Sequence, residues 1–216
     1  MKAFIYDMDG VIVDTEPLHM EAIVHVLNKM GVHDVTIKDL LKYQGTTDLL
    51  VYEDLKKQKG FSPEPQQAVR AKDYVFKRLL AEKGVQPIEG IVDLIHKTNA
   101  LRQQGIKTAI ASSSPNEFIH FVVDHLGISD CFDCLVSGTD LPESKPNPAI
   151  YLQTAAYLCV DPQECVVLED SGNGARAAKG AGMTCIGYAA PGSTQDLSCC
   201  DMLVAHIADI DLQKLS

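Results

Sequence analysis

The first strand of this chain has no partner near it in sequence. Lys2-Ala3-Phe4-Ile5-Tyr6 is an apolar run of strand length, but residues 15–83 beyond it carry helical signals throughout. A strand cannot leave its main-chain N–H and C=O groups unpaired in a core. Residues 2–6 must therefore join strands that come later in the chain, and the helical block becomes an insertion.

The later pattern supplies those strands. Residues 107–111, 134–136, 165–168, 184–187 and 202–204 are short apolar runs. Helical stretches at 89–104, 115–126, 148–158 and 174–181 alternate with them, several closed by glycine. Strands alternating with helices imply a parallel sheet covered on both faces. The expected fold is α/β: a doubly wound, Rossmann-like core from residues 1–14 and 84–216. The inserted all-helical domain spans residues 15–83. Within it, Pro17 suits a first helical turn, and Thr36-Ile37-Lys38-Asp39 resembles a capping box. Helices are expected over 18–30, 48–59 and from Ser62-Pro63-Glu64 to about residue 83.

The 216 residues are 46% hydrophobic, enough for a sizeable core, and the net charge is −10. That charge argues against nucleic acid or an anionic membrane surface as a partner. No signal peptide or membrane-spanning stretch is visible, so a cytoplasmic protein is expected, a monomer by default. The seven cysteines then read as reduced thiols. Cys131-Phe132-Asp133-Cys134 has C-x-x-C spacing, but Cys134 falls in a strand and no Cys–His pair has zinc-finger spacing, so a structural role is expected.

In an open parallel sheet, ligands bind outside the carboxyl ends of the strands. The first strand runs into Asp7-Met8-Asp9-Gly10. Residues two apart in extended chain point the same way, so Asp7 and Asp9 can face one site. Ser112-Ser113-Ser114, Lys145 and Glu169-Asp170 follow three of the other strands. Together they describe a phosphoryl-transfer site. Asp7 and Asp170, with Glu169 nearby, can hold Mg²⁺, which prefers oxygen ligands. Asp7 can attack phosphorus, and Asp9 can give and take the proton. Ser112, the main-chain N–H groups near Ser113 and Ser114, and Lys145 can stabilise charge on the phosphoryl oxygens.

These residues closely resemble the four motifs of the haloacid dehalogenase superfamily of phosphotransferases, in order and across the whole chain. Asp7-Met8-Asp9-Gly10-Val11 resembles the first, Ser112 the second, Lys145 the third and Glu169-Asp170 the fourth. The resemblance implies an aspartyl-phosphate intermediate on Asp7. It also implies an acid/base role for Asp9, an aspartate found in the superfamily's phosphatases and phosphomutases but not its dehalogenases. Asp14-Thr15-Glu16-Pro17-Leu18-His19 resembles the β-phosphoglucomutase-like branch, with a small helical cap. That branch implies Mg²⁺ ligation by the Asp7 carboxylate, the Asp9 main-chain carbonyl, Glu169 and Asp170. It implies acid/base assistance from His19 and substrate contacts from Ser114 and Asn116. Thr46 and Thr47 are the cap residues expected to meet substrate.

Two positions depart from β-phosphoglucomutase. Asp48 stands where it has an arginine for a second phosphate, and Pro115 where it has a lysine. Losing two cations weakens the hold on a bisphosphate intermediate, which a mutase must retain while it turns over. The expected activity is thus a phosphatase acting on a small phosphate ester, a sugar phosphate. The alternatives are a β-phosphoglucomutase-type phosphohexomutase and a non-catalytic binding protein on the same fold.

Overall fold

A computed structural model describes residues 1–43, 47–139 and 141–215. It divides into two compact units, one of residues 1–14 and 86–216 and one of residues 15–85.

The larger unit is built on strands β1 (Ala3–Tyr6), β2 (Lys107–Ser112), β3 (Cys134–Ser137), β4 (Cys165–Glu169), β5 (Thr184–Tyr188) and β6 (Met202–Val204). They form one sheet in the order β3-β2-β1-β4-β5-β6, with every pairing parallel. The first strand sits between β2 and β4, with Ile5 in register with Ala109 and Val167. Its residues are all buried, so both faces of the sheet are covered, as parallel sheets require. On one face Ala3 and Ile5 join a core with Ile150, Tyr151 and Ala155 of α7 (Ala149–Leu158) and Ala175, Ala177 and Ala178 of α8 (Gly172–Gly180). On the other, the Tyr6 hydroxyl meets Thr98 Oγ1 of α5 (Ile91–Ala100) at 2.8 Å. The remaining α-helix among the described residues of this unit is α6 (Asn116–His125).

The chain leaves and re-enters this unit through one tied pair of segments. Val13 bridges Pro87 antiparallel, Asp14 N donates to Gln86 O, and Ile88 N donates to Ile12 O.

The smaller unit holds α1 (Glu16–Lys29), α2 (Ile37–Leu40), α3 (Asp48–Lys59) and α4 (Pro65–Lys83). Met20, Ile23 and Leu27 of α1, Val51 and Leu55 of α3, and Ala68, Val75 and Leu79 of α4 form its core. Fully burying an aliphatic side chain of this kind contributes about 1.5–3 kcal/mol. Asp39 caps α2, its carboxylate accepting from Thr36 N and Oγ1.

Several boundaries differ from the sequence expectation. The helix expected over 89–104 is α up to Ala100 and then a 3₁₀ turn. The one expected from residue 62 starts at Pro65, and the one expected from 174 starts at Gly172. In α8, Ser171 takes the N-cap, its hydroxyl accepting from Gly174 N at 3.0 Å. Among the described residues no helix is long and apolar enough to cross a membrane.

Candidate active site

The carboxyl ends of β1, β2 and β4 converge on one cluster. Asp7 follows β1 directly and is held to the sheet by its N–H, which donates to Leu168 O at 3.0 Å. Asp7 is 7% exposed. The chain then turns at Gly10, whose φ of 84° suits a residue without Cβ. A Cβ there would also fall 2.1 Å from Asp170 Oδ2. Met8, between the two aspartates, is fully buried.

Lys145 is the cation of the cluster. Its Nζ lies 2.6 Å from Asp7 Oδ1, 2.7 Å from Glu169 Oε1 and 3.2 Å from Ala111 O. Burial opposes its charge, but Asp7 and Glu169 together lift its pKa, so it stays an ammonium. The acids are pushed the other way. Burial, then Glu169 and Asp170, hold the Asp7 carboxyl well above the usual carboxylate range, although Lys145 works against this. Burial and Glu169 push Asp170 up to about 7. One ammonium thus faces three carboxyls, Asp7, Glu169 and Asp170, and one oxygen from each lies within 4.8 Å of the others. This all-oxygen, over-negative group fits a hard divalent cation such as Mg²⁺.

Glu169 is the most committed of the three. It is the last residue of β4 rather than the residue after it, and it is fully buried. Oε1 accepts from Lys145 and from the Tyr151 hydroxyl at 2.6 Å, and Oε2 accepts from Ser171 N and Oγ at 3.2 and 3.0 Å. Its first task is therefore to anchor Lys145. Tyr151 was not singled out from the sequence; its ring lies under Lys145 Nζ at 4.9 Å.

Ser112 likewise ends β2 instead of following it, and is 1% exposed. Its Oγ accepts from Ser114 N at 3.0 Å, which leaves its own hydrogen to donate. Ser113 is exposed at the strand end. The Ser114 hydroxyl is directed at Asp9, 2.7 Å from Oδ2. Asn116 is the exposed first residue of α6.

The remaining candidates belong to the helical unit. Thr46 lies outside the described residues. Thr47 caps α3, its hydroxyl accepting from Leu50 N. With His19, Glu16, Tyr43 and Asp48 it lines a cavity of about 300 Å³. His19 stacks on Phe76, ring centroids 4.0 Å apart. Burial and then Lys72 lower its pKa to about 4, so the imidazole is neutral. Asp48 accepts from Lys72 Nζ at 2.6 Å, and the lysine side chain is 2% exposed. Lys72 stands on the same helical face as the buried Ala68, Val75 and Leu79 of α4, a spacing that could have marked it as buried, and it was missed. The cysteines are all free, and the closest contact among them is Cys185 Sγ to Cys200 Sγ at 3.5 Å.

Comparison with known proteins agrees with this geometry. Residues 4–188 match the family model described as haloacid dehalogenase-like hydrolase. Hexitol phosphatase B of Escherichia coli (strain K12) is 35% identical over 196 residues, 90% of this chain and 86% of that protein. Beta-phosphoglucomutase of Bacillus subtilis (strain 168) is 30% identical over 221 residues, 100% of this chain and 94% of that one. The crystal structure of CbbY from Rhodobacter sphaeroides in complex with phosphate superposes with a TM-score of 0.76 at 29% identity, covering 97% of this chain and 96% of that one. A match of this extent, over a sheet whose strand ends gather Asp7, Lys145, Glu169 and Asp170, means that the chain belongs to the haloacid dehalogenase-like hydrolase family.

Proposed function

We propose that the protein is a Mg²⁺-dependent phosphatase that hydrolyses a small sugar or sugar-alcohol phosphate through an aspartyl phosphate on Asp7. The observation that carries this reading is Asp7 itself: a buried carboxyl fixed by the sheet, hydrogen-bonded by Lys145 and grouped with two further acids. In this reading an Asp7 oxygen attacks phosphorus and the bond to the leaving oxygen breaks. Asp9 gives its proton to that oxygen. Asp9 then takes a proton from water as the water attacks the phosphoryl group, releasing inorganic phosphate and freeing Asp7. Ser112, the main-chain N–H of Ser113 and Lys145 steady the phosphoryl oxygens. Mg²⁺, held by the Asp7 and Asp170 carboxylates and the Asp9 carbonyl with Glu169 at its edge, would supply the charge that keeps Asp7 ionised.

Hydrolysis is favoured over a mutase by Asp48. The cavity of the helical unit presents Glu16, Asp48 and a neutral His19. Asp48 is already paired with Lys72, so among the described residues this lining offers a second phosphate no unpaired cation, while its acids accept hydrogen bonds from hydroxyls. The named activity of the Escherichia coli relative points the same way.

The test follows phosphorus by NMR. Sorbitol 6-phosphate is supplied in one sample and β-glucose 1-phosphate with a trace of glucose 1,6-bisphosphate in another, both with Mg²⁺ and each beside an Asp7→Asn control. Inorganic phosphate with wild type only is expected. Glucose 6-phosphate without free phosphate would make the protein a mutase, and no product from either ester or from a wider panel would remove the phosphatase reading.

A further inference from the structure

The acid/base aspartate is held by a chain of serines that reaches back to the sheet. The main chain at Asp9 is fixed by a bridge to Val13 and by the bond from Gly10 N to Val13 O at 2.8 Å. Its side chain still has two rotatable bonds, and a misplaced proton donor is a poor one. Ser114 Oγ donates to Asp9 Oδ2 at 2.7 Å. Ser114 is itself pinned on both sides. Its N–H donates to Ser112 Oγ at 3.0 Å, and its carbonyl accepts from Ser137 Oγ at 2.7 Å. Ser112 and Ser137 are register partners at the ends of β2 and β3. Ser137 accepts in turn from Thr139 N at 3.2 Å and meets Thr139 Oγ1 at 2.8 Å. The single Ser137 hydrogen goes to the Ser114 carbonyl, so Thr139 Oγ1 is the donor in that last contact.

We propose that Ser114, braced by Ser112 and Ser137, is a positioning residue that sets the orientation of the Asp9 carboxyl. The inference rests on the acid/base role given to Asp9 above. A hydroxyl suits the task because Asp9 Oδ2 accepts its hydrogen whether Asp9 is a carboxylate or an acid protonated on Oδ1, so the contact survives both halves of the reaction and leaves the transferable proton on the other oxygen. Ser114's N–H, carbonyl and hydroxyl hydrogen are all engaged within the protein. Its hydroxyl hydrogen is thus committed to Asp9, and a substrate hydroxyl could reach Ser114 only by donating to its oxygen.

The readout is leaving-group dependence. Nitrophenolate departs without a proton, whereas a sugar-alcohol oxygen needs one, so only the second ester depends on a well-placed acid. General acid catalysis contributes roughly 10²–10⁴-fold. In Ser114→Ala, kcat/KM for sorbitol 6-phosphate is expected to fall about tenfold or more beyond the fall for p-nitrophenyl phosphate. Ser137→Ala should show the same pattern more weakly, and Ser114→Thr should restore the wild-type ratio. Equal losses on both esters, or a rise in KM alone, would overturn the proposal. A crystal structure of Ser114→Ala supplies a second readout: Asp9 should leave its wild-type rotamer, and an unmoved Asp9 would overturn the proposal even if wild type cleaved neither ester. That last kinetic result by itself would instead sink the phosphatase reading.

Discussion

Gly174 sets where the Glu169 carboxylate can lie: a Cβ on Gly174 would fall 1.7 Å from Glu169 Oε1. Alanine inside a helix normally gains about 1 kcal/mol over glycine. Here it must push Glu169 away from Lys145 and Tyr151, both of which hydrogen-bond that same oxygen. Gly174→Ala should therefore destabilise the protein by about 2–4 kcal/mol and abolish most phosphatase activity. A denaturant titration and an assay on one preparation check both; a more stable, active variant would contradict this arrangement.

Lys145 is the ammonium that touches both Asp7 and Glu169. Lys145→Met leaves their carboxyls crowded with Asp170 and no cation between them. Breaking a buried pair from one side costs about 3–5 kcal/mol, and losing a preorganised charge at the phosphoryl group costs about 10²–10³ in kcat. Lys145→Arg should not rescue activity, because a planar fork cannot replace a point charge between two acids in this space. Single-turnover rates and melting curves for the two variants test this, and near-normal turnover in the arginine variant would contradict it.

Mg²⁺ should stabilise the protein more as pH rises from 5.5 to 8. Asp170, held up to about 7, must lose its proton to act as a ligand. Without metal the sign is opposite. Between its unfolded value near 3.9 and about 7 the folded state holds the extra proton, so stability falls with rising pH by at most about 1.4 kcal/mol per unit. The raised carboxyl of Asp7 acts in the same direction. Calorimetry with EDTA and with Mg²⁺ across that range should show diverging melting temperatures. Asp170→Asn should bring the two curves together.

What was legible in the sequence, and what was not, follows from how far apart the interacting residues lie. Asp7 and Asp170 each stand beside an apolar strand, and strand alternation was enough to expect a parallel sheet with β1 inside it. Tyr151 is another matter. It sits in an apolar helix and looks like core; only the fold brings its hydroxyl to Glu169. Ser137 closes a short strand and reads as a turn residue until β3 pairs with β2 in register. Lys72 falls on the helical face of Ala68, Val75 and Leu79, but a lysine there gives no sign of the partner that would let it be buried. Its burial depends on Asp48, 24 residues away. Local pattern carries the strand-end groups, whereas the groups that hold them in place are set by packing.

His19 should make acid stability depend on the helical unit. Its pKa is lowered to about 4 by burial and then by Lys72, while Asp48 pulls it upward; Glu16 faces the same cavity. Below its unfolded value near 6.5 the unfolded chain takes a proton that the folded imidazole refuses. Stability is therefore lost as pH falls from about 6.5 towards 4, by up to about 3 kcal/mol, and is unaffected above that window. Other acids in the unit, Asp34, Asp39 and Asp54, are held low by their hydrogen bonds and also lose stability on acidification. The informative quantity is thus the difference between wild type and His19→Gln. Urea midpoints at pH 7.5 and 5 should differ less in His19→Gln than in wild type. Lys72→Met should flatten the histidine's share of that difference, since the cation that disfavours its charge is gone, and Asp48→Asn should steepen it. The same slope in wild type and His19→Gln would mean that the imidazole is protonated in the folded unit and that its cavity is more polar than its lining implies.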